Sequence, residues 1–362
     1  MGKKVIAAMS GGVDSSAAAA LLMEQGYEVI GVTLNVWPSE QSECKCSRTC
    51  CSITDVDDAR HVCNRLGIPH YVLNMRDIFK RDVIDYFLDE YMEGRTPNPC
   101  IACNAHVKFE AMMQKAEQLG ADYIATGHYA TIVKTPEGEL ALKRSEDAHK
   151  DQTYVLYMLG QHQLSHLLLP CGKYTKPQVR AIAEKYGLPN FKKPDSQDLC
   201  FVGAEGYAGF IRNNCESLAC PGDIIKNGEA IGHHNGIYNY TIGQHKGLGS
   251  ISNEKLFVTG IDSKAAAVYV GESEDLFNKT MLVTDLKYML KSRMKDGTRV
   301  GVKIRYSAKE APAVLHIRND EAVVEFDEPQ RAITPGQAAV FYDDDVVLGG
   351  GVIVRAVPKE KA

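Results

Sequence analysis

Apolar and polar positions along this chain follow two successive rhythms. In the first half, short apolar runs alternate with stretches of helical spacing. Val5–Met9, Glu28–Leu34, His70–Leu73 and Tyr123–Ala125 predict strands. Between them Ser15–Gln25, Val56–Leu66, Ile78–Met92 and Val107–Leu119 predict helices. In the second of these, Val56, Ala59, Val62, Cys63 and Leu66 share one face. This alternation predicts an α/β domain with a parallel sheet covered on both faces. Such sheets bind ligands beyond the carboxyl ends of their strands. That puts Ser10, Leu34 and Gly127-His128 along one edge. After about residue 205 the period becomes two, in Phe257–Ile261, Ala267–Val270, Arg299–Ile304, Ala313–Ile317, Ala322–Phe326, Ala339–Tyr342 and Val346–Val354. Turn signals such as Arg318-Asn319-Asp320 separate these segments, which predict a small antiparallel β-barrel. The expected organisation is a nucleotide-binding domain over 1–205, a small central domain over 206–275 and a barrel over 276–362.

Composition narrows the class without naming it. With 362 residues, 44% hydrophobic and 24% charged, the chain reads as a multidomain globular protein. No apolar run is long enough to cross a bilayer, and Met1-Gly2-Lys3-Lys4 leads into a strand without a signal-peptide core. A cytoplasmic location and no membrane partner are therefore expected. The net charge of −5 does not advertise a nucleic-acid binder, so any such binding needs a local basic face. The 11 cysteines, an odd number without an export signal, point to catalysis or metal rather than structural disulfides.

The most informative string is Ser10-Gly11-Gly12-Val13-Asp14-Ser15-Ser16 between a strand and a helix. Paired glycines let backbone approach an anion closely, and the amides of the new helix cradle phosphate. Asp14 would repel phosphate unless it holds Mg²⁺ or orients the loop. The string lacks the Gly-Lys-Ser/Thr of the Walker loop. It resembles instead the pyrophosphate loop of ATP pyrophosphatases.

Two cysteine groups carry further chemistry. In Arg95-Thr96-Pro97-Asn98-Pro99-Cys100-Ile101-Ala102-Cys103-Asn104 the prolines predict a rigid extended loop. A helix starting near Asn104 would favour thiolate at Cys100 and Cys103. Cys200, in Asp195-Ser196-Gln197-Asp198-Leu199-Cys200-Phe201, follows Lys192-Lys193. The run Cys44, Cys46, Cys50, Cys51 could bind Zn²⁺, serve a redox or disulfide role, or hold no ligand.

Taken together, these motifs closely resemble the tRNA-specific 2-thiouridylases of the bacterial MnmA type. The matching strings are Ser10–Ser15, Gly94–Pro99, Ala125–Tyr129, Lys150-Asp151-Gln152, Ser196–Phe201, Tyr240–Gln244, Arg305-Tyr306 and Thr334–Gln337, in order over about residues 3–356. The resemblance implies a nucleotide-binding α/β domain, a small central domain and a C-terminal β-barrel. It also implies ATP-dependent 2-thiolation of the wobble uridine, with Mg²⁺, tRNA and a sulfur-relay persulfide donor protein. ATP would lie against Ala8, Met9, Ser10, Gly11, Gly12, Val13, Asp14, Ser15, Leu34 and Gly127. Cys200 would carry the persulfide, and Cys103 would attack it to release sulfide or close a disulfide. Asn98, Pro99, His128, Lys150, Asp151, Gln152, Arg305, Tyr306 and Gln337 would meet the tRNA. Lys173, Lys176, Arg180, Lys192 and Lys193 would supply the basic face.

Three positions depart from the family's pattern. Cys100 stands where many members carry Asp, so Cys100, Cys103 and Cys200 could together hold a four-iron four-sulfur cluster with one open iron. Leu34 replaces a usual Met, and His245 a customary Arg. The alternatives are a cluster-dependent thiolase using the same adenylation, an amidotransferase-type synthetase acting on a small molecule, and a non-catalytic sulfur-carrier or metal-binding protein.

Overall fold

A computed structural model describes residues 2–37, 53–195, 199–203, 205–215, 221–248 and 255–357. The Cys44–Cys51 group, Ser196, Gln197, Asp198 and Cys220 lie outside the described residues. The chain divides into two compact units, the first from 1–83, 100–204 and 345–347, the second from 84–99, 205–344 and 348–362.

In the first unit, strands β1 (Lys4–Ala8), β2 (Glu28–Asn35), β3 (His70–Asn74) and β4 (Tyr123–Ala125) form a sheet, each strand preceded by a helix after the first. A hairpin of β5 (Thr131–Lys134) and β6 (Leu140–Lys143) follows, and then the short strand β7 (Leu167–Leu168). The sheet order is β3-β2-β1-β4-β7, with all neighbours parallel. The chain steps from β1 outward to β3, then returns to pair β4 with the other side of β1. The strand order therefore reverses between β1 and β4, where sheets of this kind bind ligands.

Helix α1 (Val13–Glu24) lies against this sheet and is buried all round, with the consecutive Ala17, Ala18, Ala19 and Ala20 all essentially inaccessible. Their small side chains let the helix lie close to the strands. Val5, Ala7, Val29, Val62 and Cys63, the last two from α2 (Ile53–Leu66), fill the core. Burial pushes the Cys63 thiol up to about 11, so it packs as a neutral apolar group.

Two helical runs carry wider turns of the π type. One, over 76–92, contains such a turn at Lys80–Asp85. The other, over 99–118, contains one at Cys103–Ala111. The second corrects the expectation of an extended loop reaching Asn104. Pro99 occupies the first helical position, where its missing N–H costs nothing and its fixed φ suits the helix. Cys100 and Cys103 therefore lie within the helix, and not in a loop before it.

The second unit holds a four-stranded sheet and a barrel. Strands β8 (Gly222–Lys226), β9 (Glu229–His234), β10 (Phe257–Asp262) and β11 (Ala267–Gly271) pair in the order β10-β11-β8-β9. The barrel comprises β12 (Phe277–Tyr288), β13 (Arg299–Lys303), β14 (Ala311–Arg318), β15 (Glu321–Arg331), β16 (Ala338–Asp343) and β17 (Val346–Val357). These run β12-β15-β14-β13-β16-β17, and a β12–β17 pairing closes the ring. Among the described residues no helix is long and apolar enough to cross a membrane.

Candidate nucleotide and thiol site

Local sequence shapes the loop between β1 and α1. Gly11 has φ +73, and a Cβ there would lie 2.5 Å from the Asp55 carbonyl oxygen. Gly12 caps α1 in an extended conformation with no side-chain cap, which leaves the first-turn amides for an anion. The hydroxyls tie the turn to itself. Ser15 Oγ donates to the Gly12 carbonyl at 3.1 Å, Ser16 Oγ does so at 2.9 Å, and Ser10 Oγ lies 3.1 Å from Ser15 Oγ. Met9 is fixed from β2, its N–H donating to the Val32 carbonyl and its carbonyl accepting from Thr33 Oγ1. Ala8 ends β1, Val13 is buried, and Leu34 stands half-buried near the end of β2. From β4, Gly127 closes on the start of α1, where a Cβ would lie 2.6 Å from the backbone of Asp14 and Ser15.

A chain of charges surrounds this loop. Lys176 Nζ donates to both Asp14 carboxylate oxygens, at 2.7 and 2.9 Å, and pairs with Asp195 Oδ1 at 2.6 Å. Tyr129 OH donates to Asp14 Oδ1 at 2.8 Å. Burial, reinforced by the Asp14 charge, pushes the Tyr129 hydroxyl well above its ordinary range, so it remains a donor. Asp195 also accepts from Lys150 at 2.7 Å and Arg180 at 3.2 Å. Burial opposes the Asp195 charge, but hydrogen bonds from Lys150 and Lys176 outweigh it and hold the carboxyl below its usual range.

On the other side of the loop, Lys193 Nζ reaches Asp55 and Asp58, both at 2.6 Å, and the Gly11 carbonyl at 3.4 Å. Burial works against the Lys193 charge, and the two aspartates overcome it and raise its pKa. Asn190 Nδ2 donates to the Gly11 carbonyl and to Ser16 Oγ. Its Oδ1 is a buried acceptor with no hydrogen bond among the described residues, a group that a bound ligand or its water would satisfy. Beneath the loop, Cys171 Sγ donates to the Asp14 carbonyl at 3.3 Å. Burial and the Asp14 charge push this thiol far up, so it serves as a donor and not a nucleophile.

In the sequence Asp14, Tyr129 and Lys176 stood out separately, with nothing to show that they meet. Lys176 was legible in one respect: it is the first residue of the helix Lys176–Lys185, where the dipole disfavours a cation. A buried cation at that position signals a carboxylate elsewhere. Tyr129 follows Gly127 by two residues. Asn190 and Asp195 gave no local signal, because their partners lie far away in sequence.

The expected basic face changes in this light. Lys176, Arg180 and Lys193 are committed to Asp14, Asp195, Asp55 and Asp58 and do not form a free cationic surface. They brace the loop between β1 and α1 instead.

Of the cysteines, Cys100 is exposed, and Cys103 and Cys200 are half-buried. Phe201 anchors the Cys200 segment by packing edge-on against Phe79, with centroids 5.9 Å apart. Among the described residues no three His, Cys, Asp or Glu side chains gather into a metal-holding group. Cys100, Cys103 and Cys200 are thus not gathered into such a group among the described residues.

The residues expected at the tRNA occupy several places. His128 accepts or donates at Thr126 Oγ1, 2.7 Å away, and its ring lies 5.9 Å from that of Phe109. Burial, with Lys108 nearby, lowers its pKa well below the ordinary value, so it is neutral. Gln152 Oε1 accepts from the Tyr129 N–H, and Asp151 accepts from the Ser145 N–H and Thr153 Oγ1. Asn98 is half-buried and Pro99 buried. In the second unit, Arg305 donates to the Ala332 carbonyl and to Thr334 Oγ1, while Tyr306 is 44% exposed with Lys303 over its ring. Gln337 Nε2 donates to the carbonyls of Thr96 at 2.8 Å and Pro97 at 3.4 Å, and the Thr96 N–H donates to the Pro335 carbonyl. The loop over 334–337 thus grips the segment that leads into the Cys100 helix.

Comparison with known proteins covers the whole chain. A model described as the tRNA methyl transferase HUP domain matches residues 3–204. A tRNA methyl transferase PRC-barrel domain matches 209–272, and an aminomethyltransferase beta-barrel domain matches 278–353. The tRNA-specific 2-thiouridylase MnmA of Acetivibrio thermocellus is 51% identical over 355 residues, covering 97% of this chain and 99% of its own. Its namesake in Moorella thermoacetica is 52% identical over 349 residues, covering 96% and 98%. That of Clostridioides difficile is 48% identical over 360 residues, covering 99% of each. The domain descriptions carry methyl transferase or aminomethyltransferase labels, whereas these three near-full-length relatives carry the thiouridylase name. On that near-complete similarity, the chain belongs to the tRNA-specific 2-thiouridylase family.

Proposed function

We propose that this protein uses ATP to replace the 2-oxygen of the tRNA wobble uridine with sulfur, in keeping with relatives named tRNA-specific 2-thiouridylases. The observation that carries the reading is the uncapped Gly11-Gly12 turn at the strand-order reversal, with Lys176 and Lys193 placed on either side. A pyrimidine carbonyl oxygen is a poor leaving group. In the proposed reaction it attacks the α-phosphorus of ATP, pyrophosphate departs, and the oxygen leaves later as part of AMP. The amides of α1 and the ammonium groups of Lys176 and Lys193 would stabilise the pyrophosphate charge. Mg²⁺, when bound with the nucleotide near Asp14, would neutralise phosphate charge.

Sulfur would arrive as a persulfide on Cys200, passed from a donor protein. Its terminal sulfur attacks the adenylated C2 and AMP leaves. The Cys103 thiolate then attacks Cys200 Sγ and breaks the sulfur–sulfur bond to the uridine, giving thiouridine and a Cys103–Cys200 disulfide. An external dithiol reductant returns both thiols for the next turnover. Neutral His128, beside the nucleotide edge, would supply a hydrogen bond without a competing charge.

The test is to incubate the protein with ATP, a persulfide donor and unmodified tRNA, and to analyse the wobble nucleosides by mass spectrometry. ATP-dependent 2-thiouridine is expected, absent for Cys200→Ser. Sulfur at another position, or its formation without ATP, would overturn the reading.

A further inference from the structure

A cationic platform on the second unit has no assigned role. Phe257, at the start of β10, is 7% exposed, yet three basic side chains lie against its ring. Arg331 Cζ stands 5.1 Å from the ring centroid and Lys255 Nζ 5.5 Å, and the His245 ring lies 5.7 Å away. Cations over an aromatic face are held at little entropic cost and keep their charge outward. Beside them Phe277 is 47% exposed and stands directly opposite Arg331 in the β12–β15 register. Opposed residues of an antiparallel pair lie within side-chain reach.

Among the described residues neither Lys255 nor Arg331 forms an ion pair, and two nearby carboxylates are paired elsewhere. Asp275, next to the platform in sequence, accepts from the Glu272 N–H. On β15, Glu325 pairs with Lys279 and Asp327 with Arg299. The backbone is also specialised here. Ala332 holds φ +55, a conformation costly for a residue with a Cβ, and its carbonyl is the acceptor for Arg305. Arg305 is thereby turned into the fold while its near neighbour Arg331 stays exposed.

We propose that Lys255, Arg331 and Phe277 form an RNA-docking surface, the cations taking backbone phosphates and Phe277 stacking on an unpaired base. The proposal rests on the tRNA-modifying reading above and says where, in a chain of net charge −5, polyanion is met. An exposed ring beside a guanidinium suits splayed RNA bases, which stack on both groups.

The probe is unmodified tRNA transcript, with binding measured across a salt series. Arg331→Gln and Lys255→Gln should each weaken binding and flatten the log–log salt slope by about one, and the double variant by about two. Phe277→Ala should weaken binding several-fold without changing the slope, and Phe277→Trp should restore it. Melting temperature and ATP affinity should stay at wild-type values, and if Phe277→Ala fails to fold the two glutamine variants still read the charge. If wild type binds tRNA but the double variant matches it in affinity and slope, the platform is not the docking surface. If wild type binds no tRNA, the tRNA-modifying reading itself falls, and this proposal with it. If tRNA binding is intact in the double variant while sulfur transfer from a donor protein is lost and sulfide-driven thiolation persists, the surface belongs to that donor.

Discussion

Lys176 is the residue on which the nucleotide loop turns. It is 8% exposed, stands where a helix dipole disfavours it, and is held between Asp14 and Asp195. In the proposed reaction the pyrophosphate group of ATP would take over this ammonium group, which is already in place. Replacing it with Met should lower thiolation on the order of 10²–10³-fold, the range for losing one preorganised charge-stabilising donor. Pyrophosphate release in single-turnover experiments would measure the loss, and turnover within threefold of wild type would remove Lys176 from the mechanism. Gly127 offers a steric counterpart. With backbone only 2.6 Å from a would-be Cβ, Gly127→Ala must push β4 and α1 apart. It should cost about 1–3 kcal/mol of stability and weaken ATP binding, as denaturant unfolding and calorimetry would show. Ser10 to Ser15 were readable because their chemistry is local. Asn190 and Asp195 were not, since each gains its meaning from a partner brought up by folding.

Among the elements, the helix that starts at Pro99 matters most. Its first turn carries Cys100 and Cys103, and the segment before it is held by Gln337, Pro335 and Gly336. Gly336 has φ +86, and a Cβ there would lie 2.9 Å from the Thr96 nitrogen. Gln337→Ala should therefore alter the alkylation rate of Cys100 and Cys103 even without tRNA. A residue that only inspected the target base would leave that rate unchanged, and this outcome would contradict the tethering role. The sequence pattern revealed four of the five strands of the parallel sheet, all but the two-residue β7, and most of the barrel, because runs such as Val5–Ala7 and Ala338–Tyr342 are uniformly buried. It missed β12, where only Met281 and Val283 face fully inward and a register shift breaks the alternation. It also placed the Cys100 helix too late, since two prolines look like a loop until one is seen to occupy the first helical position.

For the molecule as a whole, three histidines set an acid limit. Burial lowers His70, His128 and His234 below their ordinary value of 6.5, with basic neighbours adding to the effect at His70 and His128. Below that value the unfolded chain takes up protons that the folded chain refuses, so stability must fall as pH drops from about 6.5. His128 alone contributes up to about 1.4 kcal/mol per pH unit. Unfolding free energies at pH 7.5 and 5.5 should diverge, and His128→Gln should reduce the difference; a flat profile in the wild type would contradict the burial argument. The central claim is that ATP activates the uridine by taking its 2-oxygen. The direct measurement uses tRNA carrying a heavy oxygen isotope at that atom of the wobble uridine, with mass analysis of the AMP formed during thiolation. The account predicts one heavy oxygen in AMP for each thiouridine made. Light AMP, with the label in water or pyrophosphate, would contradict it.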